Sequence, residues 1–144
     1  DPAALPPTLL TVRDVEAAEA ARLEDEWIGW DRIDQYRFWS TRPGARTVAV
    51  IEGTTPVAVG CLSRSRTRFT LLHLATVEAS YIRDAVRAVC ALASGDTMLA
   101  APGMSAVVPW LLDAGWRVRE HDLYCASEPE LFAAECLIPH PGLL

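Results

Sequence analysis

The chain of 144 residues contains no lysine and no asparagine, and arginine supplies all 13 of its basic residues. Lysine and asparagine codons are rich in adenine, so this absence indicates a GC-rich coding sequence rather than a binding requirement. The 19 acidic residues outnumber the basic ones, and the net charge is −6. A surface that binds nucleic acid needs excess positive charge to contact phosphates. The composition therefore argues against a nucleic acid as partner.

Long apolar runs and closely spaced cysteines are also missing. Arginine, aspartate or glutamate interrupts every hydrophobic segment before it reaches the roughly 20 residues that a membrane-spanning helix needs. The cysteines are far apart, without a CxxC pair or a histidine at ligand spacing: Cys61, Cys90, Cys125 and Cys136. We therefore expect reduced thiols, no metal site, no membrane contact and a cytoplasmic protein.

Proline is concentrated near the two ends of the chain. The first residues run Asp1-Pro2 and continue through Pro6-Pro7, which resembles an interdomain linker. We interpret residues 1–8 as a linker-like entry, 9–127 as one folded domain and 128–144 as a carboxy-terminal tail. Such a start suits a domain excised from a longer chain, and it also suits a processed terminus.

Hydrophobic periodicity and turn residues predict one order of elements along the domain. Meandering strands come first and helical crossovers follow, which predicts an α/β (α+β) fold with helices flanking a mixed, mostly antiparallel sheet. The predicted elements are a strand at 9–12, a helix capped by Asp14 that continues to 24, a helix at 31–39, strands at 46–51, 56–62 and 69–77, a helix at 81–93, a strand at 97–100, a helix around 107–112, a strand at 116–126, and at most a short helix after 128.

The strand at 69–77 has apolar residues on both faces, which predicts a central strand covered on both sides. Strict alternation places His73 with Phe69 and Leu71 on one face, and Leu72 with Leu74 on the other. A lone histidine on an apolar face is more often a hydrogen-bonded core residue than a functional one. His73 is nevertheless a candidate catalytic residue.

The last third of the domain carries a specific pattern. Its apolar helix ends at Leu111 and Leu112, Gly115 follows at the expected C-cap, and Trp116 opens a strand. Together with the order of elements, this unit resembles the GNAT superfamily of acyl-CoA N-acyltransferases over about residues 9–126. The chain is most similar to the carboxy-terminal half of bacterial two-domain members, on the segments Gly29-Trp30-Asp31-Arg32 and Pro139-His140-Pro141-Gly142-Leu143.

The resemblance implies an N-acetyltransferase that transfers an acetyl group from acetyl-CoA to a small-molecule or peptide amine. It also implies a companion GNAT domain upstream of residue 1, and it leaves a homo-oligomer open. In the superfamily, acetyl-CoA lies in a splay between the fourth and fifth strands, and amides of a glycine-containing loop hold its pyrophosphate. That loop corresponds here to the cofactor-binding candidates Val77, Ala79, Ser80, Tyr81 and Arg83.

This loop departs from the family pattern. It contains no glycine, and Glu78 and Asp84 lie near the expected phosphates, where Arg83 offsets part of their repulsion. Leu111 stands where the family often has a tyrosine that protonates the leaving thiolate. Two interpretations follow: an acetyltransferase domain, or a non-catalytic half that shapes the substrate pocket or oligomer interface of a larger acetyltransferase.

Two carboxylates are further catalytic candidates. Glu78 lies where some family members have a base that deprotonates the acceptor amine, but it also suits a helix cap or a group that repels anions. Glu120 shares a face of the predicted last strand with Asp122, where the pair could line a cleft or simply lie on an exposed strand.

Arginines and tryptophans give two weaker signals. Arg64, Arg66 and Arg68 form a cationic stripe that could bind a phosphate or an acidic partner, although a solvated hairpin tip explains it better. Five tryptophans either fill the core or form an acceptor pocket or interdomain contact: Trp27, Trp30, Trp39, Trp110 and Trp116.

Overall fold

The computed structural model describes residues 5–93, 95–120 and 135–139. These residues form a mixed sheet flanked by helices, which confirms the predicted α+β fold class. The strands are β1 (Thr11–Asp14), β2 (Ala45–Glu52), β3 (Thr55–Arg64), β4 (Arg68–Thr76), β5 (Asp96–Leu99) and β6 (Leu137–Ile138), and the helices are α1 (Ala17–Ile28), α2 (Ile33–Ser40), α3 (Ile82–Cys90) and α4 (Val107–Asp113).

The first four strands form an antiparallel meander in the order β1-β2-β3-β4. After β4 the chain crosses over through α3, so β5 returns parallel to β4. β6 also pairs with β4, but in the antiparallel direction. Two strands from distant parts of the sequence therefore share the outer edge of β4.

Helices cover both faces of the sheet. On one face α3 and α4 pack against residues such as Val50, Phe69 and Leu74. On the other face α1 and α2 pack against residues such as Val59 and Leu72. Apolar side chains of β4 enter both cores, as predicted for a central strand.

A β-bulge divides β4. Cys61 of β3 is opposite His73, whereas its neighbour Leu62 is opposite Leu71, so Leu72 is the extra residue. One extra residue resets the alternation of side chains along the strand. As a result, Leu72 and His73 both contact the layer of α1 and α2.

The bulge corrects the predicted placement of His73. Strict alternation put His73 on the face of Phe69 and Leu71, and this is wrong, because those two residues pack on the α3 side. The His73 ring instead meets α1 and α2. An alternation rule cannot anticipate a bulge, since the extra residue carries no sequence mark of its own.

Boundaries differ from the prediction in three places. Asp14, predicted as an N-cap, is the last residue of β1, where it pairs with Val48 and binds Arg46 at 2.9 Å. Residues 116–120 carry no strand pairing in the part of the chain described, and the rest of that predicted strand lies outside it. Within the predicted tail, residues 137–138 form a strand rather than a helix.

The predicted C-cap after α4 is confirmed. Gly115 has φ 86°, a left-handed conformation that glycine adopts without steric cost. Its N–H donates to Leu112 O, and the Trp116 N–H donates to Leu111 O, each at 2.9 Å. These bonds satisfy the last carbonyls of the helix.

Gly60 of β3 lies opposite Leu74, next to the bulge. A Cβ at this position would overlap the carbonyl oxygen of His73, a backbone atom that can move only if β4 is distorted. We predict that Gly60→Ala lowers the free energy of unfolding by about 2 to 3 kcal/mol, as overpacking of a core does. Urea denaturation followed by tryptophan fluorescence measures this loss.

Gly103→Ala is the matched control, because a Cβ at Gly103 meets no atom within 4 Å. Its effect should stay within about 0.5 kcal/mol. Equal stabilities of the two variants would contradict the close approach of β3 to β4 at the bulge.

Candidate functional site

The predicted site residues lie in three separate places. The cofactor-binding candidates and Glu78 lie in the turn between β4 and α3, which contains a 3-10 helix at Ala79–Tyr81, and in the first turn of α3, which holds Arg83. His73 lies within β4, and only 1% of it is exposed. Glu120 is exposed in the segment after α4. Among the described residues, no hydrogen bond or ion pair joins His73 to Glu78 or Glu120.

The turn after β4 uses several of its polar backbone groups internally. The Val77 N–H donates to Val57 O at 3.0 Å, and the Tyr81 N–H donates to Glu78 O at 3.1 Å. The Thr76 hydroxyl donates to the same Glu78 carbonyl at 2.9 Å. Two amides that the resemblance assigns to a pyrophosphate are therefore engaged within the protein.

Carboxylates surround this turn. The Tyr81 hydroxyl donates to Glu52 Oε2 at 2.8 Å, and the Ser80 hydroxyl donates to Glu78 Oε2 at 3.3 Å. The hydrogen bond to Glu52 raises the pKa of Tyr81, as do its small desolvation and the charges of Glu52 and Glu78. Two carboxylates therefore lie at the turn, where they would repel a diphosphate.

Sequence reasoning missed Glu52. It belongs to the hairpin between β2 and β3, 29 residues before Tyr81. The usable signal was the topology. In an antiparallel meander, the tip of the β2–β3 hairpin and the last residue of β4 lie at the same end of the sheet.

The arginine of the predicted loop is directed elsewhere. Arg83 Nε donates to Ala106 O at 3.1 Å, at the start of α4. Asp84 is paired with Arg87 at 2.7 Å, one turn along α3. Arg83 therefore connects α3 to α4. The residues present at this turn do not fit a diphosphate.

The outer edge of β4 has two halves, separated by the bulge. Before it, Arg68–Leu71 pair with β5; after it, Leu74 and Ala75 pair with β6. The pairing continues to Thr76, whose N–H donates to Cys136 O at 3.0 Å. We call Leu74–Thr76 the distal edge of β4.

The occupant of the distal edge is deeply buried. Leu137 and Ile138 are both 0% exposed. Leu137 packs into the core on the α1–α2 side, and Ile138 packs into the core on the α3 side. The edge of β4 beyond its pairing with β5 is thus covered by the chain itself. The sequence signal for it was short, an apolar Cys136-Leu137-Ile138 run before Pro139.

A polar cluster lies inside the domain around His73. Glu24 Oε2 is 2.9 Å from His73 Nε2 and accepts a hydrogen bond from the Tyr36 hydroxyl at 2.8 Å. Arg32 Nε lies 3.0 Å from Glu24 Oε1, an ion pair without hydrogen-bond alignment. The His73 ring stacks on Trp39 with centroids 4.8 Å apart.

The cluster is assembled from α1, α2 and β4. Glu24 comes from the buried face of α1, and Tyr36 and Trp39 come from one face of α2, three residues apart. The bulge in β4 supplies His73. Sequence reasoning singled out His73 but missed Glu24, whose position beside Leu23 on the buried face was the available signal.

The charges of the cluster stabilise one another. Burial by itself would raise the pKa of Glu24, but His73, the Tyr36 hydroxyl and Arg32 outweigh it, so the pKa lies below the ordinary 4.5. Burial and the neighbouring Glu24 hold the pKa of Tyr36 well above its usual value. Glu24 is therefore ionised and Tyr36 neutral near neutral pH. These side chains are almost fully buried, and the cluster joins α1, α2 and β4.

The arginine stripe lies on an exposed hairpin. Arg64, Arg66 and Arg68 are all exposed around the tip between β3 and β4. A cavity of about 310 Å³ there is lined by Arg68 and hydroxyl side chains. Ser65 Oγ is already used by the backbone of Arg68, since it accepts from N at 3.1 Å.

Four of the five tryptophans lie at the margins of the two cores. Trp27 and Trp30 pack on the α1–α2 side, Trp110 and Trp116 pack on the α3 side, and Trp39 is fully buried. Core filling accounts for their positions.

Metal and membrane binding find no support in the described ranges. No group of three histidine, cysteine or acidic side chains in them could hold a metal ion. None of the described helices has the length and apolar character needed to cross a bilayer. Cys61, Cys90 and Cys136 are free thiols.

We predict that Glu24→Gln lowers the free energy of unfolding by about 3 kcal/mol at pH 7, because it leaves Arg32 buried without its counter-charge. The free energy of unfolding of the variant should also fall less than that of the wild type as the pH is lowered. A carboxyl whose pKa is lowered by folding contributes stability above its unfolded value, and that stability is lost as the pH falls through the folded pKa. The relevant window lies below pH 4.5.

Urea unfolding at pH 7 and at several points below pH 4.5 tests both parts. Glu26→Gln is the matched control, since Glu26 forms an exposed ion pair with Arg22 on the same helix. It should cost less than about 1 kcal/mol. If the free energies of unfolding of the wild type and of Glu24→Gln fall equally as the pH is lowered below 4.5, this carboxylate has no role in acid unfolding.

Comparison with models of known protein families finds no match for this chain, and comparison with curated proteins finds no significant match.

Proposed function

We propose that this chain is a GNAT-like domain that has lost acetyl-CoA binding and serves as the non-catalytic half of a larger N-acetyltransferase. In that enzyme it shapes the pocket for an amine acceptor or the interface between subunits. The order of elements supports the GNAT likeness, since a four-strand meander is followed by α3, a parallel β5 and α4. The loss of cofactor binding rests on the turn after β4.

The pair of carboxylates at the turn after β4 is the single observation that carries the proposal. Glu52 and Glu78 hold the polar side chains of Tyr81 and Ser80, and Arg83 is bound to α4. Each carboxylate repels a phosphate charge 4 Å away by about 1 kcal/mol in water and about 4 kcal/mol near a partly shielded surface. Both carboxylates are exposed, so the lower figure applies, and together they would weaken diphosphate binding by a factor of about 30.

The proposed loss of catalysis agrees with the position of Leu111. Its side chain is buried in the core on the α3 side, and a leucine cannot protonate a leaving thiolate. Glu78, the candidate base, accepts a hydrogen bond from Ser80 within the same turn. The companion domain expected upstream of residue 1 would then carry the reaction, in the cytoplasm.

We predict that isothermal titration of acetyl-CoA into this chain gives no saturable heat at millimolar cofactor. The same chain should release no coenzyme A when small amines or peptides are added as acceptors. Binding in the micromolar range, or turnover with any amine, would overturn the proposal.

A charge-neutral variant tests the stated cause. Glu52→Gln combined with Glu78→Gln removes both carboxylates and keeps the shape of the turn. Inorganic pyrophosphate should bind this variant at least about tenfold more tightly than it binds the wild type. Glu16→Gln, an exposed carboxylate at the start of α1, is the control and should leave the affinity unchanged.

A further inference from the structure

The distal edge of β4 has the form of a docking groove for an extended peptide. Its floor is the backbone of Leu74–Thr76, which pairs with the segment Cys136–Ile138. Its two walls are the cores on either face of the sheet, one receiving Leu137 and the other Ile138. Backbone pairing supplies affinity in such grooves, and alternate side-chain pockets supply specificity.

The segment in the groove has few other means of holding its position. β6 is two residues long, and so short a strand has no stability of its own. Pro139 follows at once, and proline has no N–H with which to extend the ladder. The order of this segment therefore comes from the groove.

The groove begins where the pairing of β4 with β5 ends. β5 follows β4 only as far as Leu71, and the extra residue Leu72 separates that pairing from the distal edge. An edge with free N–H and C=O groups between two apolar layers needs a strand to cover it. The chain meets this need with its own residues.

We propose that the distal edge is a strand-docking site for an extended segment with two consecutive large aliphatic residues, and that residues 136–138 of this chain are its resident occupant. The docked segment also fills the gap where the GNAT resemblance places acetyl-CoA. The site does not depend on the proposed function, because a groove for a strand can exist with or without a cofactor-binding turn.

A disulfide trap tests docking in the full chain. Thr76 and Cys136 are directly opposite in an antiparallel pair, a spacing compatible with a disulfide. In a Cys125→Ser background, Thr76→Cys should form an intramolecular disulfide with Cys136 under mild oxidation, as read by mass spectrometry. Thr70→Cys, on the same strand before the bulge, is the control and should form none. A lack of crosslink at Thr76→Cys would overturn the proposal.

Peptide exchange tests the groove as a binding site. In the full chain, Ile138→Glu should expel the segment, because a charge cannot enter the α3-side core. A synthetic peptide of residues 135–144 should then bind Ile138→Glu saturably and raise its melting temperature. The wild type should bind the peptide at least about a hundredfold more weakly, since its own segment competes at high effective concentration.

A peptide carrying the same Ile138→Glu change should bind at least about tenfold more weakly than one carrying Glu135→Gln. If neither peptide binds or stabilises Ile138→Glu, the groove proposal fails, whatever acetyl-CoA does. If acetyl-CoA binds Ile138→Glu and the peptide displaces it, the groove is supported and the charged turn is refuted as the cause of the lost cofactor binding. The two proposals can therefore fail separately.

Discussion

Leu72, the extra residue in β4, decides which face of the sheet the following side chains of the strand reach. Leu72 resets the alternation, so His73 meets α1 and α2 while Leu71 and Leu74 face α3. The same residue marks the end of the pairing with β5 and the start of the distal edge. This residue thus determines which face His73 reaches, and it coincides with the point where the partner of β4 changes from β5 to β6. Gly60 permits it, since β3 approaches β4 too closely there for a side chain.

The buried cluster shows how an apolar core accepts a charge. Glu24 would be costly to bury alone, but His73, Tyr36 and Arg32 contact its two oxygens. The arrangement joins α1 and α2 to the centre of the sheet with directional contacts, which apolar packing alone does not provide. The ring of His73 lies inside this arrangement, with almost no exposed surface.

Most of the fold could be predicted from local patterns. The helices and the meander follow from periodicity, and Gly115 marks the end of α4 because a C-cap is a local event. The face of His73 could not be predicted, since a bulge depends on how two strands meet. The prediction for Asp14 is wrong because an N-cap aspartate and a strand-end aspartate look alike in sequence. In the structure Asp14 binds Arg46 of β2.

The candidate site was only partly predictable for a related reason. The lack of glycine in the turn after β4 is visible in sequence, and so is Glu78. Glu52 and the segment 136–138 reach the site from 29 and 60 residues away. Long-range pairing of this kind depends on topology, which single-sequence patterns encode weakly. The two features that argue most strongly against a cofactor were therefore the two that local reasoning missed.

On the proposed GNAT likeness, the turn and the distal edge would be two independent obstacles to acetyl-CoA. The turn acts by charge, through Glu52 and Glu78, and its effect should weaken as salt screens it. The distal edge acts by occupancy, through Leu137 and Ile138, and apolar packing responds little to salt. A domain that had lost only its phosphate contacts would still leave the gap beside β4 open. Filling that gap with buried aliphatic side chains contributes to the stability of the domain, so structural and cofactor-binding uses of this edge exclude each other.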